Sequence, residues 1–302
     1  CMQFMADRIV ALGGELNYAT RMTELIQDAS GAVTGVKAEG TDGSTWTINA
    51  KAVCLTTGGF AANKDLIAQY YPQYSEFSFN CCPGSEGDGL IAAQKAGAAI
   101  ECMGRDLGAF NATTPEAAGS RFELAFVHMF APGVMVNDSG NEFGQGSLSH
   151  AAMTQAICDK SNGGRFFHIT DHAGAITLEK MDSWNSTDYA CLFNRGDIVK
   201  YDSIDEMATA LNLPNLKETV EKHNQHALAG DKDEFGRACT FINENEGVYA
   251  ISCMPTLYVT TGGIAIDTSC HVLNESGAAI PGLYAAGDVC GSIEEKDGNV
   301  YG

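Results

Sequence analysis

The spacing of hydrophobic and polar residues predicts helices and short strands in alternation. Apolar side chains recur at helical spacing over residues 1–13 and stop at Gly13 and Gly14, which predicts an opening helix. Short apolar runs bounded by turn residues predict strands over 15–18, 19–26, 33–38, 45–48 and 52–56, the third and fourth joined as a hairpin across 41–43.

The remainder of the chain continues this alternation less evenly. Helical spacing returns over 63–71 and 84–99, and again over 204–229. The candidate core positions of this last segment are Leu211, Leu213, Leu216, Val220 and Ala227. Near the end, 263–267 alternates as a strand does, and 283–286 is a short apolar run typical of a buried parallel strand. Strands and helices in alternation predict an α/β fold.

The composition narrows the class of protein. The chain has 302 residues, 45% of them hydrophobic, with 38 acidic against 18 basic residues and a formal net charge of -20. Nucleic-acid binding needs a basic surface, so this balance excludes it and favours a soluble protein. No apolar run is long enough to span a membrane, and no signal peptide opens the chain. Eleven scattered cysteines predict small buried side chains rather than a disulfide framework or a zinc site.

Three motifs in sequence order carry a family resemblance. Residues 50–63 read A-K-A-V-C-L-T-T-G-G-F-A-A-N, residues 84–98 read G-S-E-G-D-G-L-I-A-A-Q-K-A-G-A, and residues 260–267 read T-T-G-G-I-A-I-D, followed by I-P-G-L-Y-A-A-G-D at 280–288. In this order they resemble the FAD-dependent flavoprotein family of fumarate reductase and succinate dehydrogenase.

The resemblance implies a fold and a cofactor. It implies a Rossmann-like FAD-binding domain made of residues 1–80 and 250–302, with an inserted α+β capping or substrate domain at 81–249. It assigns FAD contacts to eight residues, which are Met22, Thr57, Gly58, Gly59, Gly262, Gly263, Gly287 and Asp288. Two of the family's parts are not found: no G-x-G-x-x-G precedes these motifs, and the chain stops where the family's last helix is expected. The FAD-binding domain is therefore expected to be incomplete, as in an internal fragment.

The resemblance also implies an activity, hydride transfer from flavin N5 to a carbon–carbon double bond. His150 stands where the family has its proton-donating arginine, and Tyr258 stands where it has a substrate-binding histidine. No arginine occurs in 291–302, where a second one is expected, so an uncharged or monoanionic enone or enoate is favoured over fumarate. A histidine in a Gly/Ser-rich loop, such as His150, is also typical of an ordinary hydrogen-bonding residue without a catalytic role. The same alternative applies to Tyr258.

Two alternative functions remain open at this point. One is a flavin-dependent dehydrogenase of the 3-ketosteroid type, and the other is a non-catalytic, flavin-less binding domain. The expected partners are a small-molecule substrate and an electron donor, such as a haem or FMN domain or protein, in the cytoplasm or the bacterial periplasm. The pairs His168/His172 and His223/His226 have helical spacing but no third ligand, so no metal site is predicted.

Overall fold

The chain divides into two compact units in its computed structural model. The structure describes residues 2–79, 81–104, 111–113, 132–143, 165–182, 193–257, 259–291, 293–294 and 300–301. Unit 1 comprises Cys1–Gly58, Gly87–Glu101 and Gly263–Gly291; unit 2 comprises Gly59–Glu86, Cys102–Gly262 and Ser292–Gly302. Each of the three motif regions therefore contains a point at which the chain passes from one unit to the other.

The described residues form both helices and strands, as an α/β fold requires. The helices are α1 (Met2–Ala11), α2 (Lys64–Tyr70), α3 (Asp88–Lys95), α4 (His172–Asp182), α5 (Ile204–Leu211) and α6 (Leu216–Ala229). The strands are β1 (Thr20–Gln27), β2 (Val33–Gly40), β3 (Thr45–Asn49), β4 (Val53–Leu55), β5 (Ser78–Phe79), β6 (Ile100–Glu101), β7 (Asn111–Thr113), β8 (Val134–Val136), β9 (Phe166–Asp171), β10 (Ile198–Tyr201), β11 (Val248–Leu257), β12 (Gly263–Ile264), β13 (His271–Leu273), β14 (Ala279–Ala285), β15 (Ile293–Glu294) and β16 (Val300–Tyr301).

Unit 1 is built from three small sheets. β1, β2 and β3 form an antiparallel meander, and β2 and β3 are the hairpin that the sequence predicts. β4 lies parallel to β14, which also pairs with β13, and β12 pairs with β6. Leu55, Leu283 and Ala285 are buried at the parallel pair, whereas Cys54 of β4 is exposed, so one face of the pair is buried and the other reaches solvent.

Unit 2 is organised around the long strand β11. Its sheet runs in the order β10-β11-β9-β8, and the far end of β11 also pairs with β5 and β7. α5 begins at Ser203, whose hydroxyl accepts the Glu206 N–H, and ends at Asn212 in the left-handed conformation. Of the five predicted core positions, Leu213, Leu216 and Val220 are buried in a cluster with sheet residues such as Val134 and Ile169, and Leu211 and Ala227 are half-buried. None of the described helices has both the length and the apolar character that crossing a bilayer requires.

Several predicted elements were wrong in their extent. Residues 15–18 form no strand: pairing starts at Thr20, after Ala19 takes a φ of 52°. The helix predicted over 84–99 begins only at Asp88, because Gly87 adopts a φ of 82°. The strand predicted over 263–267 is two residues long, and Asp267 instead accepts hydrogen bonds from the N–H groups of Ser269 and His271. Of the eight described cysteines, only Cys253 and Cys290 are buried, so the expectation that most are buried is wrong for this part of the chain.

Candidate functional site

Two of the predicted cofactor segments follow adjacent parallel strands of unit 1, at the same edge of a sheet. The parallel register places Leu283 opposite Val53 and Ala285 opposite Leu55, and the Ala286 N–H donates to the Leu55 carbonyl at 3.0 Å. Because parallel strands end side by side, Thr57 and Gly58 after β4 lie next to Gly287 after β14. The carboxyl edge of a parallel sheet is where α/β proteins bind nucleotides.

The backbone at this edge is shaped to admit a ligand. Gly58 and Gly287 adopt φ values of 74° and 77°, which side-chain-bearing residues rarely adopt. A Cβ built on Gly287 would have no heavy atom within 4 Å, so the space above this turn is open. Thr57 and Asp288 are exposed and offer a hydroxyl and a carboxylate. Such groups fit the hydroxyl-rich and phosphate-bearing part of a dinucleotide.

The glycine-rich motif at 84–98 packs α3 directly against this edge. A Cβ on Gly89 would overlap the Thr57 hydroxyl and would lie 3.2 Å from the Val289 side chain. Glycine is therefore required for the helix to approach so closely. The three motifs, which are far apart in sequence, thus meet in unit 1.

The predicted residue Met22 lies beside the same helix. It is half-buried in β1 opposite Ala38, and its neighbour Arg21 makes a bidentate ion pair with Asp88, the first residue of α3. Strand β1 also packs against α3. The strand that carries Met22 is therefore fixed to the helix that packs on Thr57.

A second group of predicted residues lies in a buried turn of unit 2. Gly59 is buried, and the Phe60 N–H next to it donates to the Thr260 hydroxyl at 3.2 Å. The Gly262 N–H donates to the phenol oxygen of Tyr71 at 3.0 Å. Segments about 200 residues apart are thereby joined by hydrogen bonds. The sequence prediction missed Tyr71; its only signal was an aromatic residue at a helix end before Pro72.

Unit 2 also contains a cluster of buried charges that the sequence did not reveal. The Arg237 guanidinium pairs with Glu142 at 2.5 Å and with Asp233 at 2.8 Å, and both carboxylate side chains are more than 90% buried. Burial alone would raise the pKa of Asp233, but hydrogen bonds from the Arg237 N–H and the guanidinium charge outweigh burial and lower it. His223, on α6, approaches Glu142 at 3.8 Å and hydrogen-bonds the Thr240 carbonyl.

Two of the histidines considered as metal ligands, His168 and His223, contact backbone carbonyl oxygens. His168 lies in β9, not on a helix with His172, and its burial lowers its pKa to about 4, so it is neutral near pH 7. Its Nε2 lies 3.2 Å from the Pro132 carbonyl. Among the described residues, no group of three or more His, Cys, Asp or Glu side chains is placed to hold a metal ion. The two candidate proton donors, His150 and Tyr258, lie outside the described residues.

The fold and this edge define a class of protein, the nucleotide-binding α/β proteins. The features that point to this class are a parallel strand pair whose two strands each run into a glycine turn of positive φ, and a closely packed helix beside it. A family model described as "FAD binding domain" matches residues 1–295. The chain therefore belongs to the FAD-binding domain family, and FAD is the cofactor of that family.

Comparisons with individual proteins agree with this assignment. The chain is 30% identical to urocanate reductase of Eggerthella lenta over 90% of its own length and 45% of that protein. It is 30% identical to NADH:acrylate oxidoreductase of Vibrio harveyi over 96% of its length and 29% of that protein. A solved structure of the open conformation of a flavocytochrome c3 fumarate reductase matches 96% of this chain and 50% of its own, with a TM-score of 0.75 and 25% identity. The chain spans half or less of each of these proteins.

Proposed function

We propose that the chain forms part of an FAD-dependent enzyme that reduces an activated carbon–carbon double bond in an uncharged or monoanionic substrate. The observation that carries the proposal is the convergence of three flavoprotein motifs on the carboxyl edge of β4 and β14. The family assignment supports the cofactor, and the relatives named for urocanate and acrylate support a reductase.

The described residues suggest how the cofactor is held. Thr57, Gly58, Gly59, Gly287 and Asp288 would take the adenosine, ribityl and pyrophosphate part of FAD, since the space above Gly287 is open and Thr57 and Asp288 offer hydrogen-bonding groups. Gly262 and Gly263 would face the flavin ring, and Met22 the adenine, as the family resemblance implies. When bound, FAD supplies the two-electron chemistry of C=C reduction.

The charges of unit 2 favour a substrate with at most one carboxylate. A dicarboxylate is best held by two free guanidinium groups. Of the three described arginines of this unit, Arg195 pairs with Asp197 at 2.9 Å, Arg237 pairs with two carboxylates, and Arg165 is exposed. Two of the three guanidinium groups are thus engaged within the protein. Two of the relatives are named for monocarboxylates, urocanate and acrylate, and the solved structure is named for the dicarboxylate fumarate.

The proposal predicts which acceptors the full natural protein reduces. Reduced methyl viologen would be supplied as electron donor, with urocanate, acrylate or fumarate as acceptor, and viologen oxidation followed by absorbance. We expect turnover with a monocarboxylate at least about tenfold above that with fumarate, because one guanidinium–carboxylate pair is worth about that factor or more. Fumarate turnover equal to the best monocarboxylate would contradict the proposed substrate class. Bound FAD without reduction of any acceptor would contradict the reductase itself.

His150 and Tyr258 are the proposed proton donors. An imidazole or a phenol can protonate the carbon next to the one that receives hydride. His150→Ala or Tyr258→Phe should lower the turnover number by on the order of a hundredfold, since loss of a general acid typically has that effect. His226→Ala, on α6, is the matched control and should leave turnover unchanged. Near-normal turnover in both variants would mean that another group delivers the proton.

The electron donor is proposed to be a haem or FMN domain or protein. Support comes from the structural likeness to a flavocytochrome, a flavoprotein that carries haem. The absorbance spectrum of the full natural protein tests this directly. A Soret band or a second flavin would support a donor domain in the same protein, and FAD alone would indicate a separate donor.

A further inference from the structure

Tyr71 places a phenol hydroxyl in the interior of unit 2. It follows the last residue of α2, and its backbone N–H donates to the Ile67 carbonyl at 2.7 Å. The residue is 0% exposed, and its ring packs against Phe60 with 6.0 Å between centroids. A phenol that is fully removed from water must be hydrogen-bonded to be tolerated.

Both partners of this hydroxyl belong to the turn that the family resemblance assigns to the flavin. The phenol oxygen accepts the Gly262 N–H at 3.0 Å and lies 3.2 Å from the Thr261 hydroxyl. Gly262 itself has no room for a side chain, because a Cβ there would overlap Met103 and lie 3.0 Å from the phenol oxygen. The backbone of this turn is therefore held by a hydrogen bond on one side and by close packing on the other.

We propose that Tyr71 is a positioning residue that fixes Thr261 and Gly262 in the conformation that FAD requires. The inference rests on the proposed function, since it takes from it that this turn faces the flavin. Tyr71 acts through the turn: its hydroxyl satisfies the buried Gly262 N–H, so the peptide plane has one stable orientation. Without that acceptor the buried N–H would have to reorient, which displaces the backbone that meets the cofactor.

A purely structural role of Tyr71 would give different experimental results from a positioning role. Tyr71→Phe keeps the ring and its packing on Phe60, and removes only the oxygen that Gly262 and Thr261 contact. A structural residue would lower the melting temperature and leave cofactor binding and the chemical step unchanged. A positioning residue also changes how tightly and how productively FAD is held, because small misplacements are costly in a reaction that depends on alignment.

The experiment compares Tyr71→Phe with Tyr70→Phe in the full natural protein. Tyr70 is the matched control: its ring also meets Phe60 at 6.0 Å, and its hydroxyl has no hydrogen-bond partner among the described residues. The melting temperature of each variant is measured, together with three functional quantities. These are the hydrogen-exchange rate of the Gly262 amide without FAD, the dissociation constant of FAD by flavin fluorescence, and the turnover number and KM with the monocarboxylate that the wild type reduces.

We expect Tyr71→Phe to speed exchange of the Gly262 amide about tenfold or more, to weaken FAD binding about tenfold, and to lower the turnover number with little change in KM. Tyr70→Phe should match the wild type in all three. Variants that are indistinguishable from each other, with an active flavin-containing wild type, would overturn the positioning role. So would a Tyr71→Phe protein that only melts earlier. A wild type without flavin or reductase activity would instead reject the proposed function, and the inference with it.

Discussion

At the scale of single residues, two glycines with the same backbone conformation allow the cofactor edge to be tested. Gly287 and Gly277 both have a φ of 77°, and a Cβ on either would meet no atom within 4 Å. Gly287 follows β14 at the proposed FAD edge, whereas Gly277 lies in the turn between β13 and β14. The two positions therefore share the backbone strain of a substitution and differ only in what the added side chain faces.

We predict that Gly287→Ala weakens FAD binding about tenfold or more, while Gly277→Ala leaves it unchanged. Both variants should lose stability by a similar amount, roughly 1 kcal/mol, because alanine is strained at positive φ. The dissociation constant of FAD and urea denaturation of each protein provide the two measurements. Equal FAD affinity in the two variants would show that the space above Gly287 is not where the cofactor binds.

The sequence predicted the glycine turns at the cofactor edge better than it predicted the side chains that hold the cofactor-binding turns in place. Gly58 and Gly287 were identified because a glycine turn after a buried strand is a local pattern. Tyr71 could not be identified in this way, because its partners lie 190 and 191 residues further along the chain. Local spacing carries information about backbone conformation, while a buried hydrogen bond between distant segments depends on the fold.

At the scale of elements, the turn after α6 is fixed by charge. The Asp233 carboxylate accepts hydrogen bonds from the backbone N–H groups of Phe235 and Arg237 and from the Arg237 side chain. Arg237 in turn pairs with Glu142, in the segment that follows β8. The turn and that segment are thus joined by one guanidinium between two buried carboxylates.

We predict that Asp233→Asn lowers the free energy of unfolding by roughly 1–3 kcal/mol at pH 7, because hydrogen bonds to a buried charge are lost. The folded-state pKa of Asp233 is lowered, so its contribution is complete above the unfolded pKa, about 3.9. It is lost as the pH falls through the folded value. The difference between wild type and variant should therefore be constant from pH 7 to pH 5 and shrink by pH 3.

Asp205→Asn is the control for this prediction. Asp205 also pairs with a basic residue, Lys217 at 3.0 Å, but their side chains are 69% and 59% exposed. Exposed ion pairs contribute little, so this variant should stay within about 0.5 kcal/mol of the wild type. A loss as large as that of Asp233→Asn would mean that burial does not account for the strength of the Arg237 cluster.

Helices and strands were predicted well where the neighbouring residues carry both the hydrophobic spacing and the turn or capping signals. The hairpin of β2 and β3 has two alternating runs and turn residues between them, and the structure forms it. α2 has a capping Asn63 and a following Pro72, and it ends within a residue of the prediction. Predicted element boundaries were wrong where a single residue changes the direction of the backbone, as Gly87 does before α3. A single positive φ ends an element even when the apolar spacing continues.

At the scale of the whole molecule, the organisation of the chain is non-local. Unit 1 is assembled from three separate stretches and unit 2 from three others, so neither corresponds to one continuous segment. The family resemblance predicted the α/β FAD-binding fold, while the proposed division into residues 1–80 with 250–302 and an inserted domain at 81–249 stays a prediction. Composition and periodicity alone gave only the α/β class, because they do not specify which strands become neighbours.

The parallel pairing of β4 with β14 has a consequence for synthesis. Val53 leaves the ribosome about 230 residues before its partner Leu283. At a translation rate of roughly 5–20 residues per second, β4 therefore waits on the order of 10 to 50 seconds for the strand that completes its hydrogen bonds. An apolar strand left open for that time is prone to pair with other chains. The same strand pairing that creates the cofactor edge thus leaves the nascent chain open to association with other chains during synthesis.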